Sequence, residues 1–185
     1  MKYFLISCCF PFLTVFGQTT QAASTNTAAD SSTTHVVVKD SVVTSSNNEQ
    51  IDAIISYAKK FLGTPYKWAG TTPSGFDCSG FISYVFGNFG FSLTHSSVAM
   101  AELGATVKLS ELQPGDLMFF KGRDASSTRV GHVAMVVEVA PNVIKFIHSS
   151  SRGVVIDNFI ASKYYVPRFI KAKRLDYGVK KPTAK

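Results

Sequence analysis

The order of apolar patterns along this 185-residue chain predicts an α+β fold, with helices first and a mainly antiparallel sheet afterwards. Up to residue 103, apolar residues recur at helical spacing. Beyond that point, short apolar runs stand between turn residues, which is typical of strands joined by hairpins. Hydrophobic residues make up 45% of the chain and charged residues 17%, which suits a single buried core.

The first 17 residues are typical of a secretory signal peptide. Lys2 supplies a positive start, and the apolar run that follows, YFLISCCFPFLTVFG, is too short to span a bilayer. Small residues permit cleavage after Gly17, or at sites up to about residue 23. No later stretch reaches the roughly 18 apolar residues of a membrane helix. We therefore expect an exported protein of the periplasm, cell envelope or exterior, with no integral membrane segment after signal removal.

The cysteines carry two separate signals. LISC, which ends at Cys8, matches a lipoprotein cleavage box, but it lies too close to Lys2 for an apolar segment of about 7 residues. A lipid anchor at Cys8 is therefore the less favoured alternative. Of the three cysteines, Cys8 and Cys9 leave with the signal peptide and Cys78 remains alone. Because cysteines in an oxidising compartment usually form disulfides, a lone thiol indicates either a nucleophile or a small buried apolar residue.

Composition divides the rest of the chain into three parts. Residues 18–48 are rich in Ser, Thr, Asn and Ala and are predicted to be a flexible spacer. Residues 49–174 carry the periodic patterns and are predicted to be the folded domain. Residues 175–185 are predicted to be a basic tail. Basic residues from 171 onwards supply most of the net charge of +7, which we interpret as a solvated, frayed end. The chain has no basic stripe interleaved with aromatic residues, so the sequence does not indicate a nucleic-acid partner.

Three helices and five strands are predicted. The first helix has Asn47 or Asn48 as its cap and Gly63 as its stop. Its apolar face consists of Ile51, Ile54, Ile55, Ala58 and Leu62. The third helix covers residues 95–103. Strands are predicted at residues 116–120, 132–139, 143–150, 153–157 and 165–174.

Cys78 lies where a loop becomes the second predicted helix, which begins at Asp77 or Cys78. Asp77 can cap this helix. The free N–H groups and the positive end of a helix dipole stabilise an anion, so they lower the pKa of a thiol. A purely structural cysteine gains nothing from this position, whereas a nucleophile does.

Two histidines are candidates for the base that a thiol nucleophile needs. His132 begins one predicted strand and His148 ends the next, so a hairpin brings both to one end of the sheet. Because side chains alternate between faces, the two meet only if the connection around residues 140–142 has an odd number of residues, or if there is a bulge. Two other interpretations stay open, namely satisfied core imidazoles and a zinc site shared with Cys78.

Five ordered sequence blocks carry a resemblance to a known family. GTPYKWAG, GFDCSGF, LQPGDLMFF, GHVAMVV and FIHSSSRGVVI, between about residues 50 and 170, closely resemble the NlpC/P60 family of cell-wall cysteine peptidases. The resemblance implies a papain-like fold, with N-terminal helices on an antiparallel sheet of about five or six strands. It also implies cleavage of the bond between γ-D-glutamyl and a diamino acid in peptidoglycan stem peptides, with no metal or organic cofactor.

The resemblance also implies roles for individual residues. Cys78 is the nucleophile, His132 is the base, and His148 takes the third, orienting position. Tyr66 is implied in oxyanion or substrate binding, together with the backbone N–H of Cys78.

Five further residues are implied in substrate binding. Asp77 and Ser79 flank the nucleophile, and Asp77 is placed to meet a free amino terminus of a stem peptide. His95, Ser96 and Ser97 stand in a segment where many members read Leu-Pro-Arg-Ser/Thr, so His95 replaces an arginine and the charge of the cleft stays open. The alternatives are an N-acetylmuramoyl-L-alanine amidase or crosslink-cleaving hydrolase of the same fold, and a non-catalytic envelope-binding domain.

Overall fold

The structure, a computed structural model, describes residues 39–177, which lie in one compact unit. The α-helices of this part of the chain are α1 (Lys39–Lys59), α2 (Cys78–Gly87) and α3 (Ser97–Met100). Its strands are β1 (Thr71–Thr72), β2 (Gly75–Phe76), β3 (Ala105–Val107), β4 (Leu117–Lys121), β5 (Val130–Ala140), β6 (Val143–Ser150), β7 (Gly153–Asn158) and β8 (Phe169–Arg174). The predicted α+β order, with helices before the main sheet, is confirmed.

Several predictions at the two ends of the chain lie outside the described residues. These are the signal peptide at residues 1–17 with Cys8, the greater part of the spacer, and the end of the tail at residues 178–185. Between residues 39 and 177, no helix combines the length and the apolar character that crossing a bilayer requires.

Six strands form one antiparallel sheet in the order β3-β8-β4-β5-β6-β7. β1 and β2 form a separate two-stranded ribbon before α2. The predicted segments cover five of the six sheet strands, and the one they miss, β3, has only three residues, too few to show alternation. The last predicted strand, 165–174, is confirmed only from Phe169, because Pro167 lies in a short 3₁₀ helix at Val166–Arg168 and has no N–H for a ladder.

Both faces of the main sheet are buried, since successive side chains of a strand point to opposite faces. On one face Phe119, Met135 and Ile147 pack with apolar residues of α1 and α2. On the other face Phe120 and Phe146 belong to a second apolar cluster, which includes residues that follow β7. On β6, Phe146 and His148 are buried on one face, and Ile147 and Ser149 are buried on the other.

The helix α1 starts earlier and ends earlier than predicted. It runs unbroken through Asn47 and Asn48, so the prediction that one of them caps it is wrong, and residues 39–48 of the predicted spacer are helical. Each residue added to an anchored helix gains one hydrogen bond, and asparagine costs only about 0.7 kcal/mol there. Because α1 stops at Lys59, Leu62 lies beyond it and is 47% exposed. Of the other predicted core residues of this helix, Ile54, Ile55 and Ala58 are buried and Ile51 is partly buried against the same core.

The helix α2 begins at Cys78 with Asp77 as its N-cap, which confirms the prediction. The Asp77 Oδ1 atom accepts a hydrogen bond from the backbone N–H of Gly80 at 2.7 Å and another from the Ser79 hydroxyl at 3.1 Å. The cap therefore holds the first turn that carries the thiol.

The helix α3 is much shorter than the predicted segment 95–103. It spans Ser97–Met100, and its cap is Ser96 rather than His95. The chain must turn soon afterwards to place β3 beside β8. It does so at Gly104, where φ is +68° and where a Cβ atom would lie 2.2 Å from the Arg174 carbonyl oxygen. That tight approach ends the helix early.

A second close approach joins α2 to the loop before it. The Gly70 carbonyl oxygen accepts a hydrogen bond from the Asp77 N–H at 2.9 Å. A Cβ atom on Gly80 would lie only 2.0 Å from that oxygen. The start of α2 is therefore fixed against backbone, and only glycine fits at residue 80.

A bulge at Val137 sets the register between β5 and β6. The strands are joined by the two-residue turn Pro141–Asn142, an even connection that by itself would place His132 and His148 on opposite faces. The register shifts between residues 136 and 138, so the even-numbered residues beyond the bulge share a face. The prediction of an odd loop or a bulge is confirmed as a bulge, though it lies within β5 and not at the turn.

The predicted frayed end, residues 171–185, is in fact part of the fold up to residue 177. β8 lies inside the sheet, and the Arg174 guanidinium binds the fully buried Asp116 carboxylate at 2.7 and 2.8 Å. Tyr177 is buried and donates a hydrogen bond to the Gly115 carbonyl at 2.6 Å. The basic side chains of this strand have partners or reach solvent with their charged ends, while their apolar stems pack against the sheet. A high local charge is therefore compatible with an ordered strand.

The matched glycines of α2 provide a test of this packing. Gly80→Ala is expected to lower the free energy of unfolding by about 3 kcal/mol, because the added methyl overlaps the Gly70 carbonyl. Gly87→Ala, in the same helix with open space around it, is expected to leave stability unchanged or to raise it by about 0.5–1 kcal/mol. Urea unfolding of both variants measures the difference, and equal effects would contradict the close approach.

Candidate active site

A cavity of about 1200 Å³ is lined by two of the three predicted catalytic residues, Cys78 and His132. His148 lies behind His132 and is fully buried. Other residues on the cavity wall include Tyr66, Trp68, Lys121, Arg123, Arg152, Asp157, Tyr164 and Tyr165. The structure therefore brings together residues from the loop before α2, from α2 itself and from strands β4 to β7.

The thiol of Cys78 is free and partly buried at the start of α2. The backbone N–H of Val133 forms a hydrogen bond with it, which places the sulfur against β5, next to His132. Burial raises the pKa of Cys78, while the N–H groups of Val133 and Ser79 lower it to a smaller extent. The expectation that the helix start leaves a low thiol pKa is therefore wrong, because desolvation of the thiolate outweighs the N–H groups.

A line of hydrogen bonds runs from the cavity into the sheet. His132 Nε2 lies 2.9 Å from His148 Nδ1. His148 Nε2 lies 3.0 Å from Asp157 Oδ2, and Arg152 Nη2 contacts the same oxygen. The β6–β7 register pairs Phe146 with Asp157, so Asp157 shares the face of His148. These contacts link four side chains in series behind the thiol.

The chemistry of Asp157 fixes which nitrogen of each ring carries hydrogen. A carboxylate only accepts, so the hydrogen on His148 lies on Nε2 and its Nδ1 carries a lone pair. His132 must then donate from Nε2 to that lone pair. The remaining nitrogen of His132, Nδ1, then carries a lone pair and is the one nitrogen of this ring that can act as a base.

Both imidazoles are neutral near pH 7. Burial and, to a smaller extent, the neighbouring His148 together lower the pKa of His132 to about 3, against the opposing effect of Asp157. Burial also lowers the pKa of His148, although the hydrogen bond to Asp157 opposes that effect. The resting site therefore holds a thiol and a neutral imidazole, the pair that a general-base mechanism requires.

Aromatic side chains enclose the two histidines. The Tyr165 ring stacks on His132 with centroids 6.0 Å apart, and its hydroxyl lies 3.5 Å from His148 Nδ1. Phe146 packs against His148 with centroids 5.0 Å apart. Burial raises the pKa of Tyr165, so its hydroxyl stays protonated. These aromatic rings pack against both imidazoles, and His148 at the centre of the line is fully buried.

Asp157 and Tyr165 are two residues of the site that the predictions from the sequence do not include. A signal for Asp157 was present, because a two-residue turn after β6 pairs His148 with Val155 and puts residue 157 on the same face. Tyr165 lies immediately before the 3₁₀ helix Val166–Arg168, and no local sequence pattern predicts its contact with the two histidines.

The predicted substrate-binding residues divide into two groups. Tyr66 is 39% exposed and lines the cavity. Asp77, Ser79, His95, Ser96 and Ser97 do not line it and lie around the starts of α2 and α3.

Both oxygens of Asp77 are already occupied. Oδ1 accepts the cap hydrogen bonds of α2, and Oδ2 lies 2.7 Å from His95 Nε2. A substrate amine that bound Asp77 would therefore displace His95 or share Oδ2 with it. The assignment of these residues to substrate binding stays a prediction.

A shared zinc site was the other interpretation for Cys78 and the histidines. Within the described part of the chain, no three His, Cys, Asp or Glu side chains are grouped so that they could hold a metal ion.

Comparisons with known proteins agree with this geometry. The sequence profile of the NlpC/P60 family matches residues 63–174. The Gamma-DL-glutamyl hydrolase of Bacillus subtilis is 37% identical over 126 residues, which are 67% of this chain and 30% of that protein. The Gamma-D-glutamyl-L-lysine dipeptidyl-peptidase of Bacillus cereus is 42% identical over 86 residues, 46% of this chain and 26% of that protein.

A solved structure extends the comparison to the fold. The crystal structure of the NlpC/P60 domain of the peptidoglycan hydrolase SagA superposes with a TM-score of 0.55 at 30% identity, covering 68% of this chain and 98% of that one. The resemblance found in the sequence and the fold it implied are confirmed. The chain spans less than a third of the length of the two curated relatives.

The pH dependence of alkylation tests the resting state of Cys78. In residues 18–185, where Cys78 is the only cysteine, the rate with iodoacetamide is expected to rise close to tenfold per pH unit between about pH 6 and pH 9. The reason is that the thiol pKa is raised and the imidazole stays neutral. His132→Gln is expected to keep that slope. A plateau from about pH 5 to 8 that disappears in His132→Gln would show a resting thiolate–imidazolium pair instead.

Proposed function

This chain belongs to the NlpC/P60 family, and we propose that it is an exported cysteine peptidase that hydrolyses peptidoglycan. It cleaves the bond between γ-D-glutamyl and the diamino acid of stem peptides, with Cys78 as nucleophile, His132 as base and His148 as the orienting residue. One observation carries the proposal. The hydrogen-bonded line that ends in an unprotonated His132 Nδ1 opens on the cavity that holds the lone thiol.

The first chemical step follows from the neutral resting pair. The Cys78 sulfur attacks the scissile carbonyl carbon while His132 Nδ1 takes the thiol proton. The imidazolium that forms keeps its Nε2 hydrogen bond to His148 Nδ1. His148 in turn stays hydrogen-bonded to Asp157, so the new positive charge meets an acceptor and, beyond it, a carboxylate.

The negative oxygen of the tetrahedral intermediate needs donors at the start of α2. The backbone N–H of Cys78 is one, because the first N–H groups of a helix have no partner within it. The Tyr66 hydroxyl is the other. Burial and the neighbouring thiol raise the pKa of Tyr66, so its hydroxyl stays protonated and able to donate.

The remaining steps return the site to its starting state. The imidazolium of His132 gives its proton to the leaving amine of the diamino acid, and the carbon–nitrogen bond breaks to leave a thioester on Cys78. Water then loses a proton to His132 and attacks the thioester, which releases the γ-D-glutamyl product and restores the thiol.

The charge of the cavity suits an acidic peptide. Among residues 39–177, Lys121, Arg123 and Arg152 line the cavity and Asp157 is the one carboxylate on its wall, so the cavity attracts the carboxylates of a stem peptide. Trp68, which is 83% exposed at the cavity, offers an apolar surface to the same ligand. The names of the Bacillus relatives, a γ-DL-glutamyl hydrolase and a γ-D-glutamyl-L-lysine dipeptidyl-peptidase, support the choice of bond.

Product analysis tests the proposal. Residues 18–185 and a Cys78→Ala control are incubated with L-Ala-γ-D-Glu-diaminopimelate and with intact peptidoglycan, and the products are identified by mass spectrometry. Wild type is expected to release L-Ala-γ-D-Glu, and the control is expected to lose at least about 10⁴-fold in kcat/KM while remaining folded.

Other products would indicate a different function for the protein. Cleavage of intact wall at another bond would support the amidase or the crosslink hydrolase. No cleavage of either substrate by wild type would contradict the proposal and favour a binding domain. A collapse in the stability of Cys78→Ala would indicate that the cysteine has a structural role.

A further inference from the structure

Asp157 is the only acidic residue within the described part of the chain that contacts the catalytic histidines. His148 is fully buried, so water cannot take the place of a protein hydrogen-bond partner that its ring lacks. The Asp157 oxygen that faces His148, Oδ2, is the same oxygen that Arg152 contacts. Arg152 enters from solvent, with 59% of its side chain exposed.

We infer that Asp157 and Arg152 form a positioning pair that sets the direction of every hydrogen bond behind the nucleophile. The inference rests on the proposed function, since it assigns the pair to that reaction. Asp157 sets the direction by accepting from His148, and Arg152, which binds the same oxygen, would keep an acceptor in this place even if residue 157 were an amide. His148 is then held with a lone pair on Nδ1, and His132 with a lone pair on its own Nδ1.

The shared oxygen gives Arg152 a distinct part in this arrangement. A guanidinium only donates, so any group that it binds must present a lone pair. Because His148 faces that same atom, it too must find a lone pair there. Arg152 thus excludes an N–H donor from the position opposite His148, even where residue 157 is an amide with both an oxygen and an NH₂ group.

A reversed line would remove the base. If residue 157 donated to His148 Nε2, the His148 hydrogen would move to Nδ1 and point at His132 Nε2. His132 would then carry its hydrogen on Nδ1, the atom that must take the thiol proton. The thiol would face an N–H group and could not be deprotonated by it.

Four variants separate this role from a general structural one. Asp157→Leu removes the acceptor and is expected to lower kcat by about 10²–10³-fold. Asp157→Asn is expected to lower kcat only about tenfold, because Arg152 holds the amide oxygen toward His148. Arg152→Met alone is expected to change kcat by no more than about threefold, since an aspartate can only accept, while KM rises because Arg152 is one of the basic residues that line the cavity.

The double variant provides the diagnostic result. Without Arg152, the amide of Asp157→Asn is free to turn its NH₂ group toward His148. The kcat of Arg152→Met/Asp157→Asn is therefore expected to be as low as that of Asp157→Leu. This loss in kcat is well beyond the product of the losses in the two single variants. KM for the tripeptide is expected to stay within about threefold for Asp157→Asn, since positioning acts on the chemical step.

A matched ion pair on the same sheet serves as the control. Lys145 and Glu138 contact each other at 2.8 Å across β5 and β6, and neither lines the cavity. Glu138→Gln removes a charged partner much as Asp157→Asn does. It is expected to leave kcat and KM unchanged.

The outcomes separate this inference from the proposed function. A double variant whose effect equals the product of the single effects, or an Asp157→Leu variant that keeps kcat within about threefold, would overturn the positioning pair. If wild type cleaves neither substrate, the proposed function fails and the pair is judged by ¹⁵N NMR of the imidazoles. Hydrogen on His132 Nε2 in wild type and on Nδ1 in the double variant would support it, and the same tautomer in both would overturn it.

Discussion

The carboxylate of Asp157 accepts hydrogen bonds and cannot donate them, and the direction of each contact behind the nucleophile depends on this. His148 Nε2 must carry hydrogen to meet it at 3.0 Å. His132 must then donate to His148 at 2.9 Å, which leaves a lone pair on His132 Nδ1. Asp157, which lies beyond His148 in the line, thus determines that His132 Nδ1 carries the lone pair of the base. Burial keeps both rings neutral until His132 takes the thiol proton.

Backbone constraints bring the members of this line together. The bulge at Val137 puts the two histidines on one face of the sheet, although the turn between their strands has the wrong parity. The contact between Gly80 and the Gly70 carbonyl fixes the start of α2, and the Val133 N–H holds the thiol against β5. Each of these is set by main-chain geometry, so the site does not rely on flexible side chains finding one another.

Local chemistry made part of this site predictable from the sequence. The Asp77–Cys78 helix start, the two histidines and the need for either an odd loop or a bulge follow from capping, spacing and alternation. The raised pKa of Cys78 does not, because burial depends on chain segments that local sequence does not place. Tyr177 shows the same limit in the fold, since its core contact at Gly115 joins residues far apart in the chain.

Neutron diffraction from crystals of the wild-type domain near pH 7 would show the direction of these hydrogen bonds, because it locates hydrogen atoms. We expect hydrogen on Nε2 of both His132 and His148, none on Nδ1 of either ring, and hydrogen on the Cys78 sulfur. Hydrogen on Nδ1 of His132, whether from the reversed tautomer or from an imidazolium beside a bare sulfur, would contradict this expectation.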